Sequence, residues 1–323
     1  MMKRLYKLLG VLILAGTCAQ ASAQTYPAKP IRLVVGFAPG GAADFVARAI
    51  SEPLSKALGQ PIVVENRAGA GSSIAADYVA KSAPDGYTML IASPSSISVN
   101  PTLNSKLGYS LRDFAPITKV STSPLLITAY PGLGVNSIKE LIAVAKKSPG
   151  KLNYSSSGNG SAPHLAGVLF GQLAGIDIVH VPFKGGAPSV QSVLAGDTQL
   201  TFATPPSVLP LVHSGRLRAL AVTSRKSTPL VPGVPGMEEA GLPDYEISFW
   251  YGFFVPAATK PEIVKKLYDA TITALQQAQV KQAFAREGTE VATSSSPADF
   301  AAFLAENNKL WVHLVKESGA TLD

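Results

Sequence analysis

Cysteine is nearly absent from this sequence, since Cys18 is the only one in 323 residues. Cys18 lies in an N-terminal segment that we predict to be removed, so disulfides, thiol chemistry and thiolate metal sites are excluded from the mature chain. Thr17 stands directly before Cys18, where a lipid-attachment site needs a smaller residue such as glycine or alanine. We therefore do not expect Cys18 to carry a lipid.

Long hydrophobic runs are also missing. The apolar stretch from Leu8 to Gly16 is shorter than the ~20 residues that a membrane-spanning helix needs. It follows the basic residues Lys3, Arg4 and Lys7 and precedes the small-residue pattern Ala21-Ser22-Ala23. This is the organisation of a secretory signal peptide. We predict that residues 1–23 are cleaved off after Ala23 and that the mature chain is a soluble periplasmic protein.

Charged residues make up only 15% of the sequence, and none of them form a long basic or acidic run. The formal net charge of +7 falls to +4 when the three basic residues of the predicted signal are subtracted. The doublets Lys146-Lys147 and Lys265-Lys266 are expected on solvated helix faces. Binding to nucleic acid is therefore not expected.

Catalytic and metal-binding patterns are lacking as well. The sequence has neither a G-x-S-x-G nucleophile motif nor an H-E-x-x-H zinc motif. The four histidines, at positions 164, 180, 213 and 313, do not have the spacing of metal ligands. Few carboxylates lie near the loops that could form a site, so no acid–base pair can be named. We expect no metal, no cofactor and no enzymatic activity.

What the sequence does contain is a strand, a glycine turn and a helix in immediate succession. Ile31 to Val35 is typical of a buried parallel strand, and a helix with an apolar face begins at about Ala42. In the turn Ala38-Pro39-Gly40-Gly41, both glycines are expected to reach positive φ. Free N–H groups and the positive end of the helix dipole at such a turn suit an anion. The alternative is a tight connection without any ligand.

The same arrangement recurs in the middle of the chain. The strand Leu152 to Ser155 leads into a loop from Ser156 to Ser161, and a helix with Pro163 in its first turn follows. Hydroxyl residues also follow predicted strands, where ligands bind in open α/β sheets. These residues are Ser93, Ser95 and Thr204.

Strands and helices alternate along the chain with short connections, which predicts mainly parallel sheets flanked by helices. About 300 residues reach the limit of one core, so we expect two α/β lobes. Two apolar runs, Ile117 to Val120 and Leu125 to Tyr130, predict a strand crossing into the second lobe, and Tyr245 to Val255 predicts the return. We place lobe 1 at 24–124 and 250–323 and lobe 2 at 125–249, joined by two crossing strands.

Local signals predict where several helices begin or change. Pro53 is expected to bend or shorten the first helix. Capping patterns begin at Ser137 and Thr259, and Ser296 is expected to start the last helix.

Several long segments resemble one known family. They are IRLVVGFAPGGAADFVAR, PIVVENRAGAGSSIAADYVAKSAPDGYTML, GKLNYSSSGNGSAPHLAGVLF, VHVPFKGGAPSVQSVLAGD and SVLPLVHSGRLRALAVTS. Over its mature length the chain is similar to the solute-binding proteins of tripartite tricarboxylate transporters, also called Bug receptors. The resemblance implies a periplasmic receptor with the type II binding-protein fold. The two lobes, the crossing strands and the facing glycine loops already predict a hinged clamp that closes over a small ligand.

The implied partners are a small carboxylate, such as a di- or tricarboxylate or an aromatic carboxylate, and the membrane permease subunits of such a transporter. We expect a monomer. A periplasmic sensor that feeds a two-component system is the alternative function, and an enzyme acting on a small carboxylate is a weaker one.

The resemblance also implies two cradles for a carboxylate, one at Pro39-Gly40-Gly41 and one at Ser157-Gly158 with Ser161. Relatives often have an acid at the position of Ala203, where it could meet a ligand amine, so alanine disfavours an amino-acid ligand. The complete set of predicted ligand-binding residues is Phe37, Ala38, Pro39, Gly40, Gly41, Asp44, Ser93, Ser95, Ser156, Ser157, Gly158, Ser161, His164, Lys184, Gly185 and Thr204.

Three of these residues have an alternative structural role. Asp44 lies in the first turn of a helix, where the dipole favours an acid by ~0.3–1 kcal/mol. His164 could donate to a ligand or form a structural hydrogen bond. Lys184 could compensate the charge of a ligand or be a solvated lysine at a turn.

Overall fold

The computed structural model describes residues 26–104 and 106–318. The predicted signal peptide, its cleavage after Ala23 and Cys18 lie outside the described residues. Within them the strands form two separate sheets with helices packed against both, which is the predicted two-lobed α/β fold. No helix in this part of the chain is long and apolar enough to cross a membrane.

Six strands form the first sheet. In spatial order they are β2 (Ile62–Asn66), β1 (Ile31–Val35), β3 (Thr88–Ala92), β10 (Ser248–Pro256), β4 (Phe114–Pro124) and β11 (Glu290–Val291). β1 pairs in parallel with β2 and β3, whereas β10 is antiparallel to β3 and β4, and β11 is antiparallel to β4. The sheet is therefore mixed rather than mainly parallel, because β10 returns from the second lobe in the opposite direction.

The second sheet is also mixed. In spatial order its strands are β7 (Ile178–Pro182), β6 (Leu152–Ser156), β8 (Leu200–Ala203), β5 (Leu126–Ala129) and β9 (Arg218–Val222). β6 pairs in parallel with β7 and β8, but β5 is antiparallel to β8 and β9. β5 enters this lobe directly from the crossing, without the helix that a parallel neighbour needs.

Helices cover the faces of the two sheets. In chain order they are α1 (Ala42–Leu58), α2 (Ser73–Ala80), α3 (Asn100–Leu103), α4 (Ile138–Lys147), α5 (Ala162–Ala174), α6 (Gly186–Ala195), α7 (Pro205–His213), α8 (Pro261–Gln276), α9 (Ala278–Arg286) and α10 (Pro297–Ser318). A π-helical turn at Ser95–Val99 leads from β3 towards α3. The late helices pack against the first lobe as expected, and α10 also packs against α5 of the second lobe. Phe300 and Trp311 of α10 are fully buried.

The first helix is not shortened at Pro53. α1 continues through it to Leu58, and Gly59, which has a φ of 71°, caps its end. A proline inside a helix costs about 3 kcal/mol. Leu54 and Leu58, both buried, return ~1.5–3 kcal/mol each, so packing outweighs the lost backbone hydrogen bond.

All three predicted helices are present, and two of the three have the expected side-chain cap. Ser137 accepts from the N–H of Glu140 at 3.2 Å, and Ser296 accepts from the N–H of Asp299 at 3.0 Å. The helix predicted after Thr259 is present as α8, but the capping role of Thr259 is wrong, because its buried hydroxyl finds no partner among the described residues. Pro261, the first residue of α8, has no N–H, so this helix start has one donor fewer to satisfy.

The two crossings lie side by side. β4 and β10 pair from Ser248 opposite Pro124 to Pro256 opposite Phe114, so they form one antiparallel ribbon. Thr223, fully buried, joins both segments: its hydroxyl accepts from the N–H of Leu125 and donates to the carbonyl of Ile247, each at 2.7 Å. The predicted lobe boundaries at 124/125 and 249/250 stay a prediction.

Candidate functional site

A cavity with ≈ 450 Å³ of space between its atoms lies where the two lobes meet the crossing strand. Of the predicted site residues, five line it: Phe37, Gly41, Ser95, Ser157 and Thr204. The other lining residues are Ala42, Ala43, Pro163, Gly186, Ser189, Thr201, Phe202, Ala203, Ser207, Phe249 and Tyr251. We call this space the central cavity. It combines aromatic side chains with hydroxyls, as small-molecule sites do.

Four helices begin at the central cavity. Gly41 is the N-cap of α1, Pro163 lies in the first turn of α5, Gly186 is the first residue of α6, and Thr204 is the N-cap of α7. Each helix start carries about half a positive charge. The first-turn N–H groups of α1 and α6 have no partner among the described residues. At α5 the N–H groups of Ala162 and His164 donate to serine hydroxyls, and at α7 the first two residues are prolines without an N–H. Among the described residues no charged side chain lines the cavity. The arrangement therefore favours an anion that is held by neutral donors.

The two glycines of the first loop differ in conformation. Gly40 has a φ of 82°, but Gly41 has a φ of −90°, so only the first uses the freedom of glycine. Pro39 and Gly40 are exposed and do not line the central cavity. A β-carbon on Gly41 would lie 3.6 Å from the N–H nitrogen of Gly186, in the space between two helix starts. Gly41 thus keeps this space open.

Asp44 is buried behind the first loop and does not line the central cavity. Its Oδ2 accepts from Gly40 N at 3.0 Å and Arg48 Nε at 2.9 Å, and its Oδ1 accepts from Asn66 Nδ2 at 3.0 Å. Burial alone would raise the pKa of Asp44, but these hydrogen bonds outweigh it and lower that pKa below its usual value. Asp44 holds the shape of the loop as a fixed carboxylate.

Ser156 and Ser161 stabilise the second loop. Ser156 Oγ lies 2.6 Å from His180 Nε2 and accepts from the N–H of Gly158 at 3.1 Å. Ser161 Oγ accepts from the N–H of His164, which makes Ser161 the N-cap of α5. Neither side chain lines the central cavity.

His164 also belongs to this support. Its Nδ1 accepts from the N–H of Gly160 at 3.1 Å, and its ring stacks on His180 with the centroids 3.9 Å apart. Burial and the neighbouring His164 lower the pKa of His180 to about 3. His180 is therefore neutral at ordinary pH, so its stacking on His164 brings no repulsion between two charged rings.

Lys184 lies beside a second space between the lobes, with ≈ 520 Å³ between its atoms, rather than beside the central cavity. Phe37 and Ser157 line both spaces. Gly158, with a φ of 130°, also borders the second space. The side chain of Lys184 is exposed, which agrees with the alternative of a solvated lysine at a turn.

Two backbone N–H groups connect the lobes directly. The N–H of Ala38 donates to the carbonyl of Lys184 at 3.3 Å, and the N–H of Ala162 donates to Ser95 Oγ at 2.9 Å. Gly185 permits the first approach, since a β-carbon there would lie 3.0 Å from Ala38 N. The lobes are thus closed on each other around the central cavity.

Ser93 is close to the site but sealed off from it. Its hydroxyl is buried, has no partner among the described residues and does not line the central cavity. Sequence reasoning missed Phe249 and Tyr251. Their i, i+2 spacing on the crossing strand was the available signal, because alternate residues of a strand share one face.

A closed cavity between two α/β lobes, surrounded by helix starts, defines a receptor for a small solute. A model of the tripartite tricarboxylate transporter family receptor matches residues 46–320, and the chain belongs to this family. The chain is 39% identical over 324 residues to Protein BugT of Bordetella pertussis, with 99% of each chain covered. The resemblance to the Bug receptors is confirmed.

Solved structures agree with this assignment. A protein of R. palustris solved with adipate is 35% identical, with a TM-score of 0.88 over 92% of this chain and 100% of the other. MatC of Rhodopseudomonas palustris, solved with bound malate, is 31% identical, with a TM-score of 0.85 over 90% and 100%. The two-lobed binding-protein fold is thereby confirmed.

Proposed function

We propose that this receptor captures a small carboxylate between its lobes and delivers it to the permease subunits of a tripartite tricarboxylate-type membrane transporter. It acts in the periplasm after removal of residues 1–23 and releases its ligand chemically unchanged. The observation that carries the proposal is the convergence of four helix starts on the central cavity.

Charge balance supports a carboxylate as the ligand. A buried anion needs hydrogen-bond donors or a positive field to offset the loss of water, and the helix starts supply both. The adipate and malate of the related structures belong to the same chemical class.

The same charge balance argues against a ligand with an amino group. An ammonium group would meet the positive ends of four helices, and no acidic side chain lines the central cavity among the described residues. Ala203, at the end of β8, lines the cavity without offering a charge. We therefore propose carboxylates without an amine.

A thermal-shift panel tests the ligand class. We expect at least one of adipate, malate, succinate, citrate or benzoate to raise the melting temperature, with ~2.7 kcal/mol of added stability at 100 times the dissociation constant. Aspartate, glutamate and phenylalanine should give no shift. No response to any carboxylate would contradict the proposal.

Recovery of the ligand tests receptor against enzyme. After prolonged incubation with the protein, a captured carboxylate should be recovered unchanged by mass spectrometry. Conversion to another compound would show an enzyme instead.

A further inference from the structure

Tyr251 lies on β10, the strand that returns between the lobes. Phe249 and Tyr251 share the face of β10 that lines the central cavity, and their rings meet edge to face with the centroids 4.9 Å apart. Trp250, between them, turns to the other face and donates to Asn307 Oδ1 at 2.7 Å. Phe249 and Tyr251 thus form a wall of the central cavity that does not belong to any of the four helix starts.

A β-bulge distorts β4 directly opposite Tyr251. Tyr251 pairs with Ser121 and Gly252 with Lys119, so Val120 is the extra residue. Bulges increase the local twist and occur next to functional sites, where they re-aim side chains.

The hydroxyl of Tyr251 lacks a protein partner. Among the described residues four tyrosines are buried, and Tyr109, Tyr154 and Tyr245 each donate to a carbonyl oxygen of the protein. Tyr251 is 93% buried and forms no such bond with the described residues. Its hydroxyl oxygen nevertheless remains accessible from the cavity. A buried hydroxyl without a partner is costly unless something else binds it.

We propose that the Tyr251 hydroxyl is a ligand-binding donor, and that the ligand presents to it an oxygen outside the carboxylate held by the helix starts. One carboxylate accepts about four hydrogen bonds, and the first turns of α1 and α6 alone offer at least that many N–H groups without a partner among the described residues. A further donor therefore needs a further acceptor. The ligand class becomes dicarboxylates and hydroxycarboxylates rather than simple monocarboxylates.

The state of the hydroxyl fits this role. Burial raises the pKa of Tyr251 well above its ordinary value, so the group stays protonated and donates throughout the working pH range. A protonated donor recognises a carboxylate or hydroxyl oxygen but has nothing to offer an apolar chain end.

Matched ligand pairs and the Tyr251→Phe variant test the proposal, which rests on the proposed function. Adipate and hexanoate share a chain length, as do succinate and butyrate, but only the first of each pair has a second acceptor. By isothermal titration calorimetry, we expect Tyr251→Phe to weaken the dicarboxylate that binds best by about ten- to a hundredfold, the effect of losing a hydrogen bond to a charged group. Hexanoate or butyrate should change by less than about threefold, or be too weak to measure in both proteins.

Tyr268→Phe is the matched control. Its hydroxyl donates to the carbonyl of Ser294 at 3.0 Å, and it does not line the central cavity. It should leave all affinities unchanged. Unchanged binding of the dicarboxylate by Tyr251→Phe, or an equal loss for both members of a pair, would overturn the inference. Failure of the wild-type protein to bind any carboxylate would instead overturn the proposed function.

Discussion

His180 illustrates how one half-buried side chain can set the acid stability of the protein. Its ring stacks on His164 and contacts Ser156 Oγ, at the base of the loop that carries Ser157. The folded protein keeps this ring neutral down to a pKa of about 3, whereas an unfolded histidine gains a proton below about 6.5. The unfolded state then binds more protons, so stability falls as the pH drops from about 6.5 to 3.

We expect His180→Gln to flatten this part of the pH–stability curve. The wild-type slope from one such group approaches ~1.4 kcal/mol per pH unit below 6.5. Urea unfolding at several pH values between 3 and 7 measures it. His313→Gln, at an exposed position on α10, is the control and should keep the wild-type slope. An identical slope in both variants would show that His180 does not cause the acid loss.

For single residues, the sequence predicted which loops lie at the site, but it did not predict what their side chains do there. Asp44 and His164 were predicted near the site and lie near it, but they hold loops in place. Sequence position cannot tell whether a polar group faces a ligand or its own backbone, since both need the same loop. Tyr251 escaped prediction because the sequence places it on the returning strand but does not show which face of that strand meets the loops.

Thr223 is the feature with the clearest consequence at the scale of elements. Its hydroxyl serves both crossing segments, and its own N–H donates to the carbonyl of Leu125 at 2.9 Å. We expect Thr223→Val to destabilise the protein by about 1–3 kcal/mol, because Leu125 N–H and Ile247 C=O lose a buried partner. Denaturant unfolding monitored by circular dichroism measures the change.

Thr128→Val provides the matched comparison. Thr128 of β5 is also fully buried, but its hydroxyl has no partner among the described residues. Its replacement should be neutral or stabilising, since an unsatisfied polar atom is removed. Equal effects of the two substitutions would argue against a joining role for Thr223.

The order of elements was predictable, and the direction of several strands was not. Glycine turns and apolar periodicity place β1, α1, β6 and α5 correctly because these signals are local. Whether β10 runs parallel or antiparallel depends on where the chain returns. No local pattern contains that information, and the mainly parallel expectation followed from the βαβ units alone.

For the whole molecule, the lobes should separate without ligand and close around it. The closed form joins Ala38 to Lys184 and Ser95 to Ala162, and a ligand at the central cavity would contact both lobes. Small-angle scattering should show a smaller radius of gyration with a saturating carboxylate than without. An unchanged radius would indicate a preformed closed pocket.

Scattering is a better probe here than tryptophan fluorescence. Trp250 and Trp311 both donate to Asn307 Oδ1, at 2.7 and 3.0 Å, so both indoles are tied to the same residue of α10. Although Trp250 lies on a crossing strand, its surroundings need not change when the lobes move.

The pairing of β4 with β10 also restricts how the lobes can move. Two separate linkers would let one lobe slide, twist or tilt against the other. Here the two crossings form a single hydrogen-bonded ribbon, and Thr223 ties Leu125 to Ile247 where that ribbon enters the second lobe. Sliding would shear the ladder and break several backbone hydrogen bonds at once, whereas bending the ribbon breaks few. We therefore expect the lobes to move against each other mainly by bending of this ribbon rather than by sliding.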